Sequence, residues 1–279
     1  MRISVTGTYR YPVKSCRGER LGEAVVEPWG LAGDRRWMIV DSDGKVVTAR
    51  EYPQLVLVSP TADNSNNAIR FESPGLLDLT VPVPCGTAAE LLPVTVWRSS
   101  LLTAQAGDEA AEWFTKITGV PVRLVYLDDP TRRLVDPDYG KDTDRVSFAD
   151  GYPLLLTSEA SLSQLNDWIA EGPYAPEAPL PMTRFRPSVV INGTAPWAED
   201  DWQRIRIGDV MFRVAKGCDR CVLTTIDPRT SVKGREPLVT LARYRRWDGK
   251  VWFGVNLIPD LVPGTPAVIR PGDPVEIVS

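Results

Sequence analysis

The spacing of apolar residues along the chain predicts many short strands and few helices. Residues 36–50, "RWMIVDSDGKVVTAR", place two β-rich runs around Asp43-Gly44, a pair common in tight turns, which predicts a hairpin. A second hairpin is predicted over 204–216, with its turn at Gly208-Asp209. Further short runs bounded by Pro and Gly predict strands over 54–59, 69–72, 77–83, 91–97, 122–127, 188–191, 251–258 and 274–278.

Three segments have the period of a helix instead. Residues 107–119 place their apolar side chains on one face, and Gly119 can end the helix. Residues 157–172 carry a second apolar stripe, with Ser158 as the predicted N-cap. The third predicted helix covers 237–247. The sum is a mainly β (α+β) chain with a few helices, which favours barrels or sandwiches over βαβ layers.

A polar stretch interrupts this pattern near the middle of the chain. Residues 128–147 are rich in Asp and Arg and predict a surface connection, so they are the candidate boundary between two domains. With 279 residues, the chain has room for two modest domains.

The composition excludes several kinds of catalytic and metal site. The chain has no histidine, which excludes Ser-His-Asp triads, Cys-His dyads and histidine-ligated zinc or haem. A net charge of −4 gives no indication of nucleic-acid binding. No apolar run reaches the ~18 residues of a membrane span, and the N-terminus lacks a signal-peptide pattern, so we expect a cytoplasmic protein. Its four cysteines are then thiols: Cys16, Cys85, Cys218 and Cys221.

The closely spaced cysteines lie in "GCDRCVLTTIDPRT", residues 217–230. A structural zinc site normally needs four Cys or His ligands, and only one C-x-x-C is present. A redox dithiol of the thioredoxin type opens a helix, whereas this pair follows a predicted hairpin and precedes β-branched "VLTTI", which favours extended backbone. Two buried, inert thiols are the third interpretation. The pair alone leaves all three open.

Loop-borne cations add a second signal. Lys14-Ser15 lie in a turn bounded by Pro and Gly, Arg35 and Arg186 each lie shortly before a predicted strand, and Arg220 lies between the cysteines. Arg offers a planar donor fork, Lys a point charge and Ser a hydroxyl, as a phosphate requires. Thiolates select soft metals. Together these groups suggest a cofactor that carries both a metal and a phosphate.

Six motifs occur in one order: "YPVKSCRG", "GDRRWMIVD", "VTARE", "FRPSVVI", "AEDDWQRIRIGDV" and "CDRCVLTTIDPRT". In that order they resemble the MOSC-domain proteins of the amidoxime-reducing type, which include the mitochondrial amidoxime-reducing component and its bacterial relatives. The resemblance covers nearly the whole chain. It implies a β-rich N-terminal domain (1–127) packed on a C-terminal MOSC β-barrel (128–279), with the cofactor between them.

The resemblance implies the molybdenum cofactor in its molybdopterin form, with Cys221 as the protein's metal ligand and Cys218 outside the ligand set. The resemblance also implies binding of pyridoxal phosphate. The expected contacts to the cofactor are Lys14, Ser15, Arg35, Asp150, Gly151, Tyr152, Arg186, Ser188, Arg220 and Asn256.

Three positions depart from the family's pattern. Relatives often carry Asn at the position of Ser188, a family tyrosine aligns with Asn256, and Asp219 stands where relatives have Ser. The carboxylate of Asp219 beside a phosphate would need a neighbouring cation, and Arg220 is the expected one.

The function implied is reduction of N-hydroxylated compounds, such as amidoximes and hydroxylamines. The sequence has no haem, flavin or ferredoxin-like signature, so we expect electrons from a separate flavoprotein, ferredoxin-like or cytochrome b5-like protein. Without histidine, protons come through water or an acidic residue. Two alternatives stay open: a carrier that hands cofactor or sulfur to another enzyme, and a dithiol protein that uses Cys218 and Cys221.

Overall fold

The computed structural model describes residues 2–62, 67–84 and 90–279, and Cys85 lies outside these ranges. In the described residues the helices are α1 (Asp108–Thr118), α2 (Glu159–Ala170) and α3 (Leu238–Tyr244). The strands of the first half are β1 (Ser4–Arg10), β2 (Glu19–Leu21), β3 (Ala24–Glu27), β4 (Gly30–Leu31), β5 (Trp37–Val40), β6 (Ser59–Ala62), β7 (Ala68–Glu72), β8 (Leu79–Pro82), β9 (Leu91–Val96), β10 (Ser99–Gln105) and β11 (Arg123–Tyr126). Those of the second half are β12 (Leu154–Ser158), β13 (Val189–Asn192), β14 (Arg204–Ile207), β15 (Val210–Asp219), β16 (Arg246–Trp247), β17 (Lys250–Asp260), β18 (Val268–Ile269) and β19 (Val275–Ile277). The prediction of a mainly β chain with a few helices is confirmed.

The largest sheet joins the two ends of the chain. Its strands run in the order β19-β14-β15-β17-β12-β13-β1-β2, with β16 paired to β17. Strand β1 pairs antiparallel with β13, and Ser4 lies opposite Asn192. The division at 127/128 is still a prediction, but β1 and β2 belong to the sheet of the C-terminal half. The core beside this sheet includes Leu156, Ile205, Phe212 and Leu257, each 0 % exposed.

Residues between the first strands and the middle of the chain form a second core. Strands β5-β11-β10-β9 make one sheet and β6-β7-β8 another. Helix α1 packs its apolar stripe onto them, and Phe114 contacts the ring of Phe71 edge-on at 5.2 Å between centroids. Gly119 ends α1 with φ +74°, a left-handed conformation that glycine adopts without a steric penalty. The predicted stop is confirmed.

Helix α2 begins as predicted, but the residue before it, Ser158, does not cap the helix with its side chain. Ser158 occupies the N-cap position. Its hydroxyl pairs instead with the Thr194 hydroxyl at 2.9 Å, since Ser158 also ends the buried strand β12. The strand "LLLTS" was absent from the sequence prediction because a short apolar run does not distinguish a buried strand from helix.

Two strand predictions fail for local reasons. Residues 54–59 were predicted as a strand, yet Pro53–Leu57 form a 3₁₀ turn, because proline pre-sets the backbone for the first turn of a helix. In the 36–50 hairpin the turn is present, with the Asp41 carboxylate accepting from the amides of Asp43 and Lys45. The returning arm is reduced to one bridge from Val46 to Val40, and β5 pairs with β11 instead.

The polar connection over 128–147 is not all surface. Arg133 is 4 % exposed, and Val146 is fully buried. Its charged composition suggested exposure, but Arg133 is buried and donates hydrogen bonds to main-chain carbonyls. No helix in the described part of the chain is long and apolar enough to cross a membrane.

Candidate functional site

A cleft brings together residues from both halves of the chain. Every residue predicted to bind the cofactor lines it except Ser188. The lining residues come from the loops after β1, β4, β5 and β9, from the loop before β12 and the start of that strand, and from the turn before β13. The end of β15, the turn that follows it, and β17 complete the lining. Clefts between packed units are common sites for small ligands.

Lys14 is the most enclosed cation of the cleft. The residue is 6 % exposed, and Nζ donates to the Phe148 carbonyl at 2.9 Å and to Asp150 Oδ1 at 2.5 Å. Burial lowers the pKa of Lys14 to about 8, against the opposing effect of Asp150. Enclosure would raise the pKa of Asp150, but Lys14, Arg50 and Arg35 outweigh it and hold that pKa well below its usual range. Lys14 is therefore a cation that can lose its charge near pH 8.

Arg35 and Arg186 share one aromatic ring. Each guanidinium carbon lies 4.3 Å from the centroid of Tyr11. Arg35 donates to Asp34 at 2.6 Å and to the Arg186 carbonyl at 3.2 Å, and Arg186 donates to the Cys16 carbonyl at 2.6 Å. Burial and then repulsion by Arg35 lower the pKa of Arg186 to about 10. Two like charges held this close create a place where an anion is stabilised.

Backbone strain is concentrated at this cleft. Ser15 (φ +73°), Arg35 (φ +46°), Trp97 (φ +53°) and Arg186 (φ +56°) all line it, and all are non-glycine residues in the left-handed region. Such residues cost about 1–3 kcal/mol each and persist where the surroundings fix them. The strain aims side chains from several loops at one space.

Cys221 begins the turn that closes the cleft. It precedes the 3₁₀ turn Val222–Thr225, so the prediction of extended backbone for "VLTTI" is wrong. The threonines explain the difference: Thr224 Oγ1 donates to the Cys221 carbonyl at 2.9 Å, and Thr225 Oγ1 donates to the Val222 carbonyl at 2.8 Å. These side-chain bonds stabilise a turn that β-branched residues do not favour by themselves.

Cys218 and Arg220 are paired beside it. Arg220 Nη1 donates to Cys218 Sγ at 2.9 Å, and Nη2 donates to the Phe185 carbonyl at 2.7 Å. Burial raises the pKa of Cys218, so this thiol stays protonated at neutral pH. Arg220 was expected to neutralise Asp219, and that expectation is wrong. Asp219 is exposed and lies near two lysines, Lys216 at 4.0 Å and Lys250 at 3.7 Å.

The loop 150–152 forms another wall, and a buried arginine holds it. Arg133 donates to the carbonyls of Ser147 and Ala149 at 2.5 and 2.6 Å and to that of Asp150 at 2.9 Å. A side chain at Gly151 would meet no atom within 4 Å, so this position opens onto the cleft. Burial raises the pKa of Tyr152, whose hydroxyl has no partner in the described structure.

The last two predicted positions have different outcomes. Asn256 lines the cleft and donates from Nδ2 to the Gly217 carbonyl at 3.2 Å. Ser188 lies outside it, is fully buried, and accepts from the amide of Leu155 at 3.2 Å. It joins β12 to the start of β13, so its contribution to the cleft is indirect.

Sequence reasoning missed several lining residues. Arg50 lies 3.8 Å from Asp150 and 4.6 Å from the Trp97 ring, and Trp97 Nε1 donates to Asp150 at 3.3 Å. "VTARE" contains Arg50 and was the available signal, whereas nothing in the pattern around Trp97 indicated a site. Arg184 also lines the cleft, is 8 % exposed and donates to the Thr225 carbonyl at 2.8 Å.

These groups fit an anion that carries a soft metal. Lys14, Arg35 and Arg186 provide cationic donors, and Cys221 provides sulfur. Arg220 Nε is buried without a partner, as expected where a ligand supplies the acceptor. Among the residues described, no three His, Cys, Asp or Glu side chains form a metal cluster.

Two family models match the chain. The model described as the MOSC N-terminal beta barrel domain matches residues 2–121, and the MOSC domain model matches residues 143–276.

Relatives match over much of the chain. Human mitochondrial amidoxime-reducing component 1 is 34% identical over 292 residues, covering 99% of this chain and 83% of the relative. Mitochondrial amidoxime reducing component 2 of Macaca fascicularis is 36% identical over 261 residues, covering 88% of this chain and 75% of the relative. A molybdenum cofactor sulfurase of Oryza sativa subsp. japonica is 32% identical over 258 residues, covering 88% of this chain but 31% of that protein.

Proposed function

Because the chain belongs to the MOSC-domain proteins and is related along nearly its whole length to mitochondrial amidoxime-reducing components, we propose that it is a molybdenum-cofactor-dependent reductase of N-hydroxylated compounds. One observation carries the proposal. The Cys221 thiol lines the same cleft as Lys14, Arg35, Arg186 and Arg220.

The residues divide into two groups by the part of the cofactor that they would hold. Cys221 would ligate molybdenum. Lys14, Arg35 and Arg186 would hold the phosphate, with Ser15 as a hydroxyl donor. When bound, the cofactor would supply the two-electron chemistry that cleaves the N–O bond.

The chain's own residues fix positions rather than carry electrons. The Tyr11 ring contacts both arginines, and Asp150 orients Lys14. The turn stabilised by Thr224 presents Cys221, and Arg133 fixes the loop that bears Asp150. Such preorganisation keeps a site within the small tolerances that catalysis requires.

The overall reaction takes an N–OH group, two electrons and two protons to an N–H group and water. The electrons would come from a separate redox protein, in line with the absence of a haem or flavin signature. With no histidine in the chain, protons would come through water or a carboxylic acid.

The direct test is turnover with a small-molecule reductant. Cofactor-loaded protein is expected to reduce benzamidoxime to benzamidine, whereas Cys221→Ser is expected to lose this activity and Cys218→Ser to retain most of it. A loaded wild type that does not reduce the N–O bond would refute the reductase. Equal loss in both variants would indicate a dithiol protein instead.

The carrier is the second candidate, and the molybdenum cofactor sulfurase relative is the observation that favours it. A carrier would pass cofactor or sulfur to an apo-enzyme without reducing N-hydroxylated compounds. Incubation of loaded protein with a cofactor-free molybdoenzyme separates the two: activation of that enzyme, together with no reductase activity, would identify a carrier.

A further inference from the structure

A second cavity adjoins the cleft and shares part of its wall. It has a volume of about 330 Å³, at the lower end of the range of small-molecule sites. Arg184, Arg186 and Leu223 line both cavities, whereas Cys221 and Lys14 line the first alone. The second cavity is therefore separate from the thiol but in contact with the arginine that faces the proposed phosphate.

Positive charge dominates its lining. The arginines are Arg17, Arg20, Arg184, Arg186 and Arg229, and the lining contains no Asp or Glu. The nearby carboxylate of Asp227 lies 3.4 Å from Arg184 and 3.8 Å from Arg229.

Three of the arginines, Arg17, Arg20 and Arg186, have no carboxylate partner in the described ranges. Arg17 donates to the Pro228 carbonyl at 2.8 Å, and Arg20 donates to the Thr6 carbonyl at 2.9 Å. These main-chain bonds position each guanidinium but leave its charge uncompensated. A carboxylate could accept two parallel hydrogen bonds from such a fork.

Apart from Thr183, the other side chains of the lining are apolar or aromatic. Val56, Leu223, Ile226 and Pro228 provide the aliphatic surface, and Tyr9 and Tyr11 provide rings. Cationic donors on an apolar wall select a ligand with a charged end and an apolar body, because a fully hydrated inorganic ion gains nothing from the apolar part.

Two buried polar atoms on the wall have no partner. Tyr11 is 2 % exposed and Arg184 is 8 % exposed, and neither Tyr11 Oη nor Arg184 Nε makes a hydrogen bond in the described structure. Unsatisfied buried atoms are rare in folded proteins and commonly indicate an absent ligand or water. They give an indication of a ligand independent of the charge.

We propose that this second cavity binds a small aromatic carboxylate, with its carboxylate on Arg17 and Arg20 and its ring against Ile226 and Leu223. The bound anion would also approach Arg186 and offset the repulsion between Arg186 and Arg35. This site does not depend on the proposed reductase activity.

The test uses cofactor-free protein and benzoate, titrated by calorimetry at low ionic strength. One saturable site is expected. Arg17→Gln and Arg20→Gln are each expected to weaken benzoate binding about tenfold, as loss of a charge-assisted hydrogen bond predicts. Lys14→Gln, in the first cleft, is the matched control and is expected to leave the affinity unchanged. Arg20 is exposed, so its variant is expected to fold, and thermal unfolding checks this.

Two further probes test the ligand class. Benzyl alcohol keeps the ring without the charge, and inorganic phosphate keeps the charge without the ring, so both are expected to bind at least about tenfold more weakly than benzoate. The proposal is overturned if benzoate does not bind, if either probe binds equally well, or if Lys14→Gln weakens benzoate as much as Arg17→Gln does.

Discussion

Arg35 donates a hydrogen bond to the main-chain carbonyl of Arg186, and both guanidiniums lie 4.3 Å from the centroid of the Tyr11 ring. Each arginine also has a left-handed backbone. The pair is thus held in position by the loops and by one aromatic ring, at a cost in strain and repulsion. An anion between the halves of the chain would compensate that cost.

The Tyr11 ring is expected to be required, and its hydroxyl is not. Tyr11→Leu removes two cation–π contacts of ~0.5–1 kcal/mol each, so sulfate, as a phosphate analogue, should bind roughly five- to thirtyfold more weakly. Tyr11→Phe should keep sulfate affinity and leave the free energy of unfolding unchanged or higher, because this hydroxyl is buried without a partner. Calorimetry and urea unfolding measure both quantities. Equal loss of sulfate affinity in the two variants would contradict this role.

Gly18 is expected to fix the place of that ring. A Cβ at Gly18 would lie 2.3 Å from Tyr11 Cε1, and the ring cannot move away because two arginines stack on it. Gly18→Ala should destabilise the fold by about 1–3 kcal/mol, as overpacking does. Gly22→Ala is the control, since a Cβ there meets nothing within 4 Å. Urea unfolding that shows the same stability for both variants would refute the constraint.

Loss of the charge on Lys14 is expected to raise the stability of the fold and to weaken sulfate binding. Its pKa is about 8 in the folded chain and near 10.5 without burial, so the unfolded chain binds more protons between these values. The contribution of Lys14 to the free energy of unfolding should therefore rise with pH over that interval. Sulfate affinity should fall above about pH 8, because the ammonium loses its charge.

Lys14→Arg is the matched variant, because arginine stays charged over this range. Its sulfate affinity should stay level between pH 7 and pH 9. Sulfate is the probe because it does not itself titrate there. A wild-type affinity that is flat across pH 8, or that falls equally in the arginine variant, would exclude Lys14 as the titrating group.

Arg133 is expected to hold the loop that bears Asp150. Arg133→Met removes donors from three main-chain carbonyls and should lower the free energy of unfolding by about 2–4 kcal/mol. Arg145→Met also removes donors from three main-chain carbonyls, but from a side chain that is partly exposed, so it should change this free energy by less than about 1 kcal/mol. Amide exchange over 147–152 should speed up only in the first variant. Unchanged exchange there would show that Arg133 does not fix the loop.

Regular amphipathic segments could be predicted from sequence, and so could fewer than half of the residues that line the cleft. Helix α1 was predictable because its apolar period and Gly119 agree. The turn after Cys221 was not, because two threonine hydroxyl bonds override the extended preference of β-branched residues. Ser188 follows Arg186 closely, yet strand geometry buries it away from the cleft. Trp97 reaches the cleft through a distant loop that no local pattern reveals.

We propose that one thiolate in this cleft, that of Cys221, completes a molybdenum site. The most direct measurement is molybdenum and released pterin per chain, in wild type, Cys221→Ser and Cys218→Ser made in a cofactor-producing host. Near-stoichiometric metal is expected in wild type and Cys218→Ser, and a sharp fall is expected in Cys221→Ser. Metal and pterin absent from wild type, or unchanged in Cys221→Ser, would contradict the proposal.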